Sequence, residues 1–149
     1  MSLQIQINDE IKNAMRAKDS LTLESLRAIK AALLLAQTES GAKDELSKDE
    51  EIKILQRLVK QRRESARIYI EQGRDDLAQP EIEQAKIIEK FLPAQLSEEE
   101  IKEIITQIIA DTGANGIAQM GQVMGEANKR MAGQADGKTI SSVVKSLLA

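Results

Sequence analysis

The sequence contains neither cysteine nor histidine. These two absences exclude disulfide frameworks, thiolate nucleophiles, zinc sites of the Cys/His type and a histidine general base. A metal could be bound only through oxygen ligands, and the chain has no spaced Asp/Asn/Gly loop of the calcium-binding type. We therefore predict no catalytic triad, no metal site and no cofactor.

Aromatic residues are almost as scarce, because Tyr69 and Phe91 stand alone and make up 1% of the chain. The core must be aliphatic, and single-stranded nucleic acid would find no row of rings on which to stack its bases. Hydrophobic residues nevertheless make up 42% of the chain and charged residues 30%, in long segments rich in Leu, Ile, Ala, Lys and Glu. This composition predicts an all-α protein.

Long apolar runs are also missing, since the longest covers only residues 31–36 and is too short to cross a bilayer. The first ten residues lack the basic patch and apolar core of a secretory signal. From these features we predict a cytoplasmic protein that does not bind membranes. The net charge is −3, so any surface that attracts polyanions must be a local one.

Apolar residues recurring at helical spacing predict an N-terminal helical domain over residues 1–92. Its predicted helices cover residues 3–17, 21–40, 49–72 and 80–91. Gly41 is expected to end the second helix, and a capping box formed by Ser47 and Glu50 to begin the third and longest one. Pro80 is assigned to the first turn of the fourth helix, where proline is best tolerated.

A second domain, over residues 93–149, is predicted to hold three short helices. A capping box formed by Ser97 and Glu100 begins the first of them, and glycine-containing segments separate the other two. These helices are predicted up to residue 112 and over residues 118–131 and 137–148.

The segment GQADGKT, residues 133–139, resembles a phosphate-binding loop at first inspection. It has three residues between its glycines where the nucleotide motif has four, and a helix precedes it where a strand is needed. A corner between two helices explains the residues better. Gly133 ends one helix, Asp136 caps the next, and Gly137 lies in its first turn.

Positive charge is concentrated in the third predicted helix. Residues 53–74 hold seven Lys and Arg against two Glu, in a chain of net charge −3. Arg62 points nearer the apolar side and is interpreted as a structural arginine. The candidate phosphate contacts are Lys53, Arg57, Lys60, Arg63, Arg67 and Arg74. By pattern alone, a solvated helix face and a phosphate-contacting stripe explain this helix equally well.

The C-terminal domain is weakly basic. Its candidate RNA contacts are Lys129, Arg130, Lys138 and Lys145. Because rings for base stacking are lacking, an RNA bound by this protein should be folded and held through its shape and phosphates. Ser141, Ser142 and Lys145 also suggest a serine–lysine nucleophile. They lie opposite the apolar stripe of a terminal helix, however, where the sequence gives no sign of a cleft.

Six blocks in order along the chain resemble the YqeY family of small bacterial proteins. They are AKD and LRAIKAA within residues 17–32, KQRRES at 60–65, GRDDLA at 73–78, FLPAQLS at 91–97, MGQVMG at 120–125, which contains Gly121 and Gly125, and ADGK at 135–138. The resemblance covers essentially the whole chain. Two positions depart from it: Pro80 stands where relatives usually carry a charged helix former, and Gln119 where Asp is common.

The resemblance implies a two-part all-helical fold similar to the tail of the B subunit of tRNA-dependent amidotransferase. It also implies a link to glutamine-dependent amidation of misacylated tRNA, whose glutaminase and kinase chemistry belongs to other domains. We therefore expect a non-catalytic module that binds tRNA or assists a tRNA-modifying or aminoacylating enzyme. Two alternatives stay open: a component of a glutamine-dependent carbon–nitrogen ligase, and a protein–protein adaptor without RNA.

Overall fold

The computed structural model describes residues 2–39 and 45–149, and these residues form helices, turns and connecting segments without a β-strand. The predicted all-α class is confirmed. The chain divides into two compact units, Met1–Leu92 and Pro93–Ala149, each with its own aliphatic core.

The described part of the first unit contains four helices: α1 (Leu3–Ala17), α2 (Ser20–Glu39), α3 (Lys48–Glu71) and α4 (Asp75–Glu89). α2 packs against the other three, and α3 and α4 form the most extensive contact. Their shared core is built around Ile7, Leu26, Ile29, Leu55 and Ile88, which are almost completely buried. The predicted end of α2 at Ser40 and Gly41 lies outside the described residues.

The two ends of α3 are determined by local chemistry. At its start, the Glu50 amide donates to the Ser47 hydroxyl (3.2 Å) and the Ser47 amide donates to the Glu50 carboxylate (3.0 Å), which confirms the predicted capping box. At its end, Gly73 adopts a left-handed φ of 72°, and the Arg74 amide donates to the Tyr69 carbonyl at 2.8 Å. This left-handed residue ends α3 and lets the chain reverse into α4.

The fourth helix begins at Asp75, five residues before the predicted start, so the placement of Pro80 in its first turn is wrong. The amides of Leu77 and Ala78 donate to the Arg74 carbonyl at 3.1 Å, which establishes a helical turn ahead of the proline. Two aspartates in that turn also favour the positive end of the helix dipole. Proline has no backbone N–H, so Pro80 cannot donate to the carbonyl four residues earlier. Because Pro80 lies near the start of α4, the carbonyl without a partner belongs to the first turn.

The second unit contains α5 (Glu98–Thr112), a 3₁₀ turn (Ile117–Gln119), α6 (Met120–Arg130) and α7 (Gly137–Leu148). Each of the three α-helices contacts the other two. The core includes Ile105, Ile108, Val123, Met131 and Val144, all essentially inaccessible to solvent. The capping box at the start of α5 is present as predicted from Ser97 and Glu100. No described helix has both the length and the apolar character needed to span a membrane.

The segment that resembled a phosphate loop is a corner between α6 and α7. Gly133 has a left-handed φ of 76°, and the Asp136 side chain accepts a hydrogen bond from the Thr139 amide at 2.6 Å. The Gly133 carbonyl accepts from the Gln95 side chain at 2.7 Å, and the Gln134 carbonyl from the Leu96 amide at 2.9 Å. The corner is therefore fastened to the segment that leads into α5.

Candidate nucleic-acid interface

Three cations lie along one exposed face of α3. Lys53, Arg57 and Lys60 follow one another at spacings of four and three residues, which places them on the same side of a helix. Among the described residues, none of the three has an ion-pair or hydrogen-bond partner for its side chain. The opposite side of this stretch supplies Leu55 and Leu58 to the core, so the helix carrying the cations is firmly held. We call these three residues the α3 cation row.

The next arginines along α3 are bound to α4. The Arg63 guanidinium forms an ion pair with Glu89, with Nε 3.1 Å from the carboxylate oxygen. Arg62 donates from Nε to the Gln84 side chain at 3.1 Å and from Nη1 to the Leu58 carbonyl at 3.2 Å. Both side chains thus take part in joining the two helices.

The remaining arginines of the basic stretch also have acidic partners. Arg67 pairs with Glu64 and Glu71, one turn before and one turn after it, and these partners raise the pKa of its guanidinium. Arg74 contacts Asp76 through two hydrogen bonds of 3.1 and 3.0 Å, which lower the pKa of that carboxyl. We call Arg63, Arg67 and Arg74 the paired arginines, because carboxylates already neutralise them.

In the second unit, Arg130 is also paired. Its guanidinium contacts Glu126 at 3.0 Å and Asp111 at 3.2 Å. Hydrogen bonds from Gln107 and from Arg130 lower the pKa of the Asp111 carboxyl. Three other candidate contacts are exposed and have no ion-pair partner within residues 2–39 and 45–149: Lys129, Lys138 and Lys145.

A groove of about 500 Å³ lies between the first turn of α5 and α7. Its polar lining consists of Glu98, Lys102, Lys138, Thr139, Ser142 and Ser146. α7 therefore borders a groove of which the sequence gives no sign. The groove does not support a serine–lysine nucleophile, however, because its lining includes Ser142 but neither Ser141 nor Lys145.

The sequence patterns do not single out four of these lining residues: Glu98, Lys102, Thr139 and Ser146. Lys102 and Lys138 are 36 residues apart in the chain, and both line the groove because α5 packs against α7. A spacing pattern contains no signal for such a contact. The one local hint is that Lys138, Ser142 and Ser146 recur every four residues on α7.

Two glycines of the MGQVMG block meet no packing neighbour within the part of the chain that the structure describes. Gly121 and Gly125 lie on the exposed side of α6, and apart from the adjacent residues and the backbone of the same helix, no described atom approaches within 4 Å of the position that a Cβ would take at either residue. The left-handed Gly133 differs from them, because its conformation favours a glycine. Within the described residues, no group of three carboxylates is arranged to hold a metal ion.

Comparison with known proteins shows two kinds of relative. The sequence matches the family model described as Yqey-like protein over residues 4–148. A protein of Clavispora lusitaniae named altered inheritance of mitochondria protein 41, mitochondrial, is 34% identical over 143 residues, which cover 93% of this chain and 82% of the relative. The protein of the same name in Meyerozyma guilliermondii is 30% identical over 132 residues, which cover 82% of this chain and 68% of the relative.

The second kind of relative is the E subunit of glutamyl-tRNA(Gln) amidotransferase from Thermococcus gammatolerans. It is 36% identical over 70 residues, which make up 44% of this chain and 11% of the relative. This short match supports the predicted resemblance to the tail of an amidotransferase component.

The fungal relatives contradict the predicted cytoplasmic location, because their names place them in mitochondria. That prediction rested on the lack of a secretory signal. The inference was unsound, since proteins reach organelles through targeting segments of quite different composition.

Proposed function

Since the chain belongs to the family of Yqey-like proteins, we propose that it is a tRNA-binding module without catalytic activity of its own, which assists a tRNA-modifying or aminoacylating enzyme. The name of the archaeal relative supports the link to tRNA, because that protein is part of an amidotransferase named for glutamyl-tRNA(Gln). The match to a small part of the archaeal protein suits an accessory module better than a complete enzyme.

The observation that carries the proposal is the α3 cation row. In a protein of net charge −3, three neighbouring cations face solvent without a carboxylate partner among the described residues. From Lys53 to Lys60 the row extends along about 10 Å of helix axis, at 1.5 Å per residue. Cations without a carboxylate partner can contact phosphates, and phosphate contacts provide most of the sequence-independent affinity for a nucleic acid.

The binding test uses an unmodified tRNA transcript titrated at several salt concentrations. We expect the logarithm of the association constant to fall linearly with the logarithm of salt concentration, because phosphate contacts release counterions. Replacing the row by Lys53→Gln/Arg57→Gln/Lys60→Gln should lower the magnitude of that slope by about 1 for each cation removed.

A matched control removes the same charge from the paired arginines, as Arg63→Gln/Arg67→Gln/Arg74→Gln. Its slope should stay close to that of the unmodified protein, because these guanidinium groups already contact carboxylates. If the two triple variants lose equal slope, net charge alone drives binding and the row has no special role. If the unmodified protein shows no salt-dependent binding, the tRNA proposal is wrong.

The catalytic alternative needs a separate assay. The purified protein is supplied with glutamine, ATP and misacylated tRNA, and amidated product is measured. We expect no product from this protein alone; product formation would instead identify it as an active component of a carbon–nitrogen ligase. Co-purification of a stable protein complex that contains no RNA would favour the adaptor alternative.

A further inference from the structure

The groove between α5 and α7 has a lining suited to a phosphorylated ligand. Lys102 and Lys138 contribute two ammonium groups, and both side chains are exposed at the rim. Val143 and Leu147 supply the apolar part of the lining. A volume of about 500 Å³ falls within the range of small-molecule sites, which runs from about 300 to 1,000 Å³.

Three hydroxyl groups of α7 line the groove: Thr139, Ser142 and Ser146. Several helical hydroxyls of this protein donate to the carbonyl four residues earlier, as Ser25, Thr38, Thr106 and Thr112 do at 2.7–2.9 Å. The hydroxyls of Ser142 and Ser146 make no such bond to any described residue. These two hydroxyls, on one face of α7, are available to donate to a ligand.

Glu98 makes the groove more selective than a plain anion site. Its carboxylate lies among the lining residues, and it forms no ion pair with Lys102 or with any other residue in the part of the chain that the structure describes. A carboxylate can only accept hydrogen bonds, so it repels a bare phosphate and favours a ligand that also carries a donor. Ribose beside a phosphate provides that combination through its 2′-hydroxyl.

We propose that the α5–α7 groove holds one ribose-phosphate unit of the bound RNA. Lys102, Lys138 and the hydroxyls of α7 contact the phosphate oxygens, and Glu98 accepts a hydrogen bond from the 2′-hydroxyl. The inference rests on the proposed function and adds a second contact region, one that distinguishes RNA from DNA. It does not require the α3 cation row, so the two regions can be tested separately.

The test measures the affinity of the full chain for a tRNA transcript and for a DNA strand of the same sequence. Lys102→Gln/Lys138→Gln should weaken RNA binding on the order of tenfold and lower the salt slope by about 2. Glu98→Ala should leave the slope for RNA nearly unchanged and reduce the preference for RNA over DNA. The control Lys12→Gln/Lys90→Gln removes two exposed lysines from the first unit and should change neither quantity.

A second measurement on the unmodified protein guards against variants that fail to fold. Backbone amide resonances of Thr139, Ser142 and Ser146 should shift when the transcript is added, while those of α1 stay in place. If the row variant loses slope but the groove variant keeps it, and these resonances do not move, the groove inference is overturned and the proposed function stands. If the unmodified protein binds no RNA, both are overturned.

Discussion

The part of α3 from Lys53 onward divides into a first half, residues 53–60, and a second half, residues 61–71, which hold three cationic side chains each and use them differently. In the first half, Lys53, Arg57 and Lys60 face solvent without a partner among the described residues. Beyond them, Arg63 and Arg67 are held by carboxylates from α4 and from α3 itself. The positive charge counted along the chain therefore overstates the charge that a ligand would meet, because folding brings Glu89 to Arg63.

The same two halves differ in how they are packed. The first half contributes Ile54, Leu55, Leu58 and Val59 to the core of its unit. In the second half Ala66 is the buried residue, while Ile68 and Ile70 remain 40% and 52% exposed. The half with available cations is thus the one anchored in the core. A rigid support of this kind suits a binding surface, because little side-chain and backbone freedom is lost on binding.

The largest expected effect tests this difference in packing. Leu55 is 1% exposed, so Leu55→Ala should lower the free energy of unfolding by about 2–5 kcal/mol, through lost burial and the cavity left behind. Ile70→Ala in the second half should change it by less than about 0.5 kcal/mol. Denaturant unfolding followed by tyrosine fluorescence reports on this unit, because Tyr69 is the one tyrosine of the chain. Equal losses of unfolding free energy at Leu55 and Ile70 would show that the two halves are equally well packed.

Local chemistry explains which features were predictable. The capping boxes at Ser47 and Ser97 were predicted correctly because each depends on a hydroxyl and a carboxylate three residues apart. The start of α4 was missed because Pro80 was treated as a helix start, although two aspartates ahead of it begin the helix. The partner of Arg63 and the α5–α7 groove arise from packing between distant segments, which no spacing pattern records.

A smaller effect is expected when the acids that neutralise the paired arginines are removed. Glu89→Gln/Asp76→Asn should release Arg63 and Arg74 and strengthen tRNA binding about tenfold, with the salt slope steeper by up to about 2. The control Glu24→Gln/Glu103→Gln removes two exposed carboxylates that contact no described cation, and should change the slope by less than about 1. If both variants strengthen binding equally, ion pairing does not limit the contribution of Arg63 and Arg74 to binding.

The smallest effect concerns the turn at Gly73, where the chain reverses from α3 into α4 and brings the acids of α4 beside α3. Gly73 has a φ of 72°, and apart from its two chain neighbours no described atom lies within 4 Å of a Cβ built there, so Gly73→Ala introduces backbone strain without a clash. It should cost about 1 kcal/mol. Gly121→Ala, in a helix with equal open space, should instead gain about 0.5–1 kcal/mol. Thermal unfolding followed by circular dichroism measures both changes. A Gly73→Ala protein as stable as the parent would show that α3 can end without a left-handed residue at position 73. The position of Glu89 beside α3 would then depend on the packing of α4 and not on the conformation of Gly73.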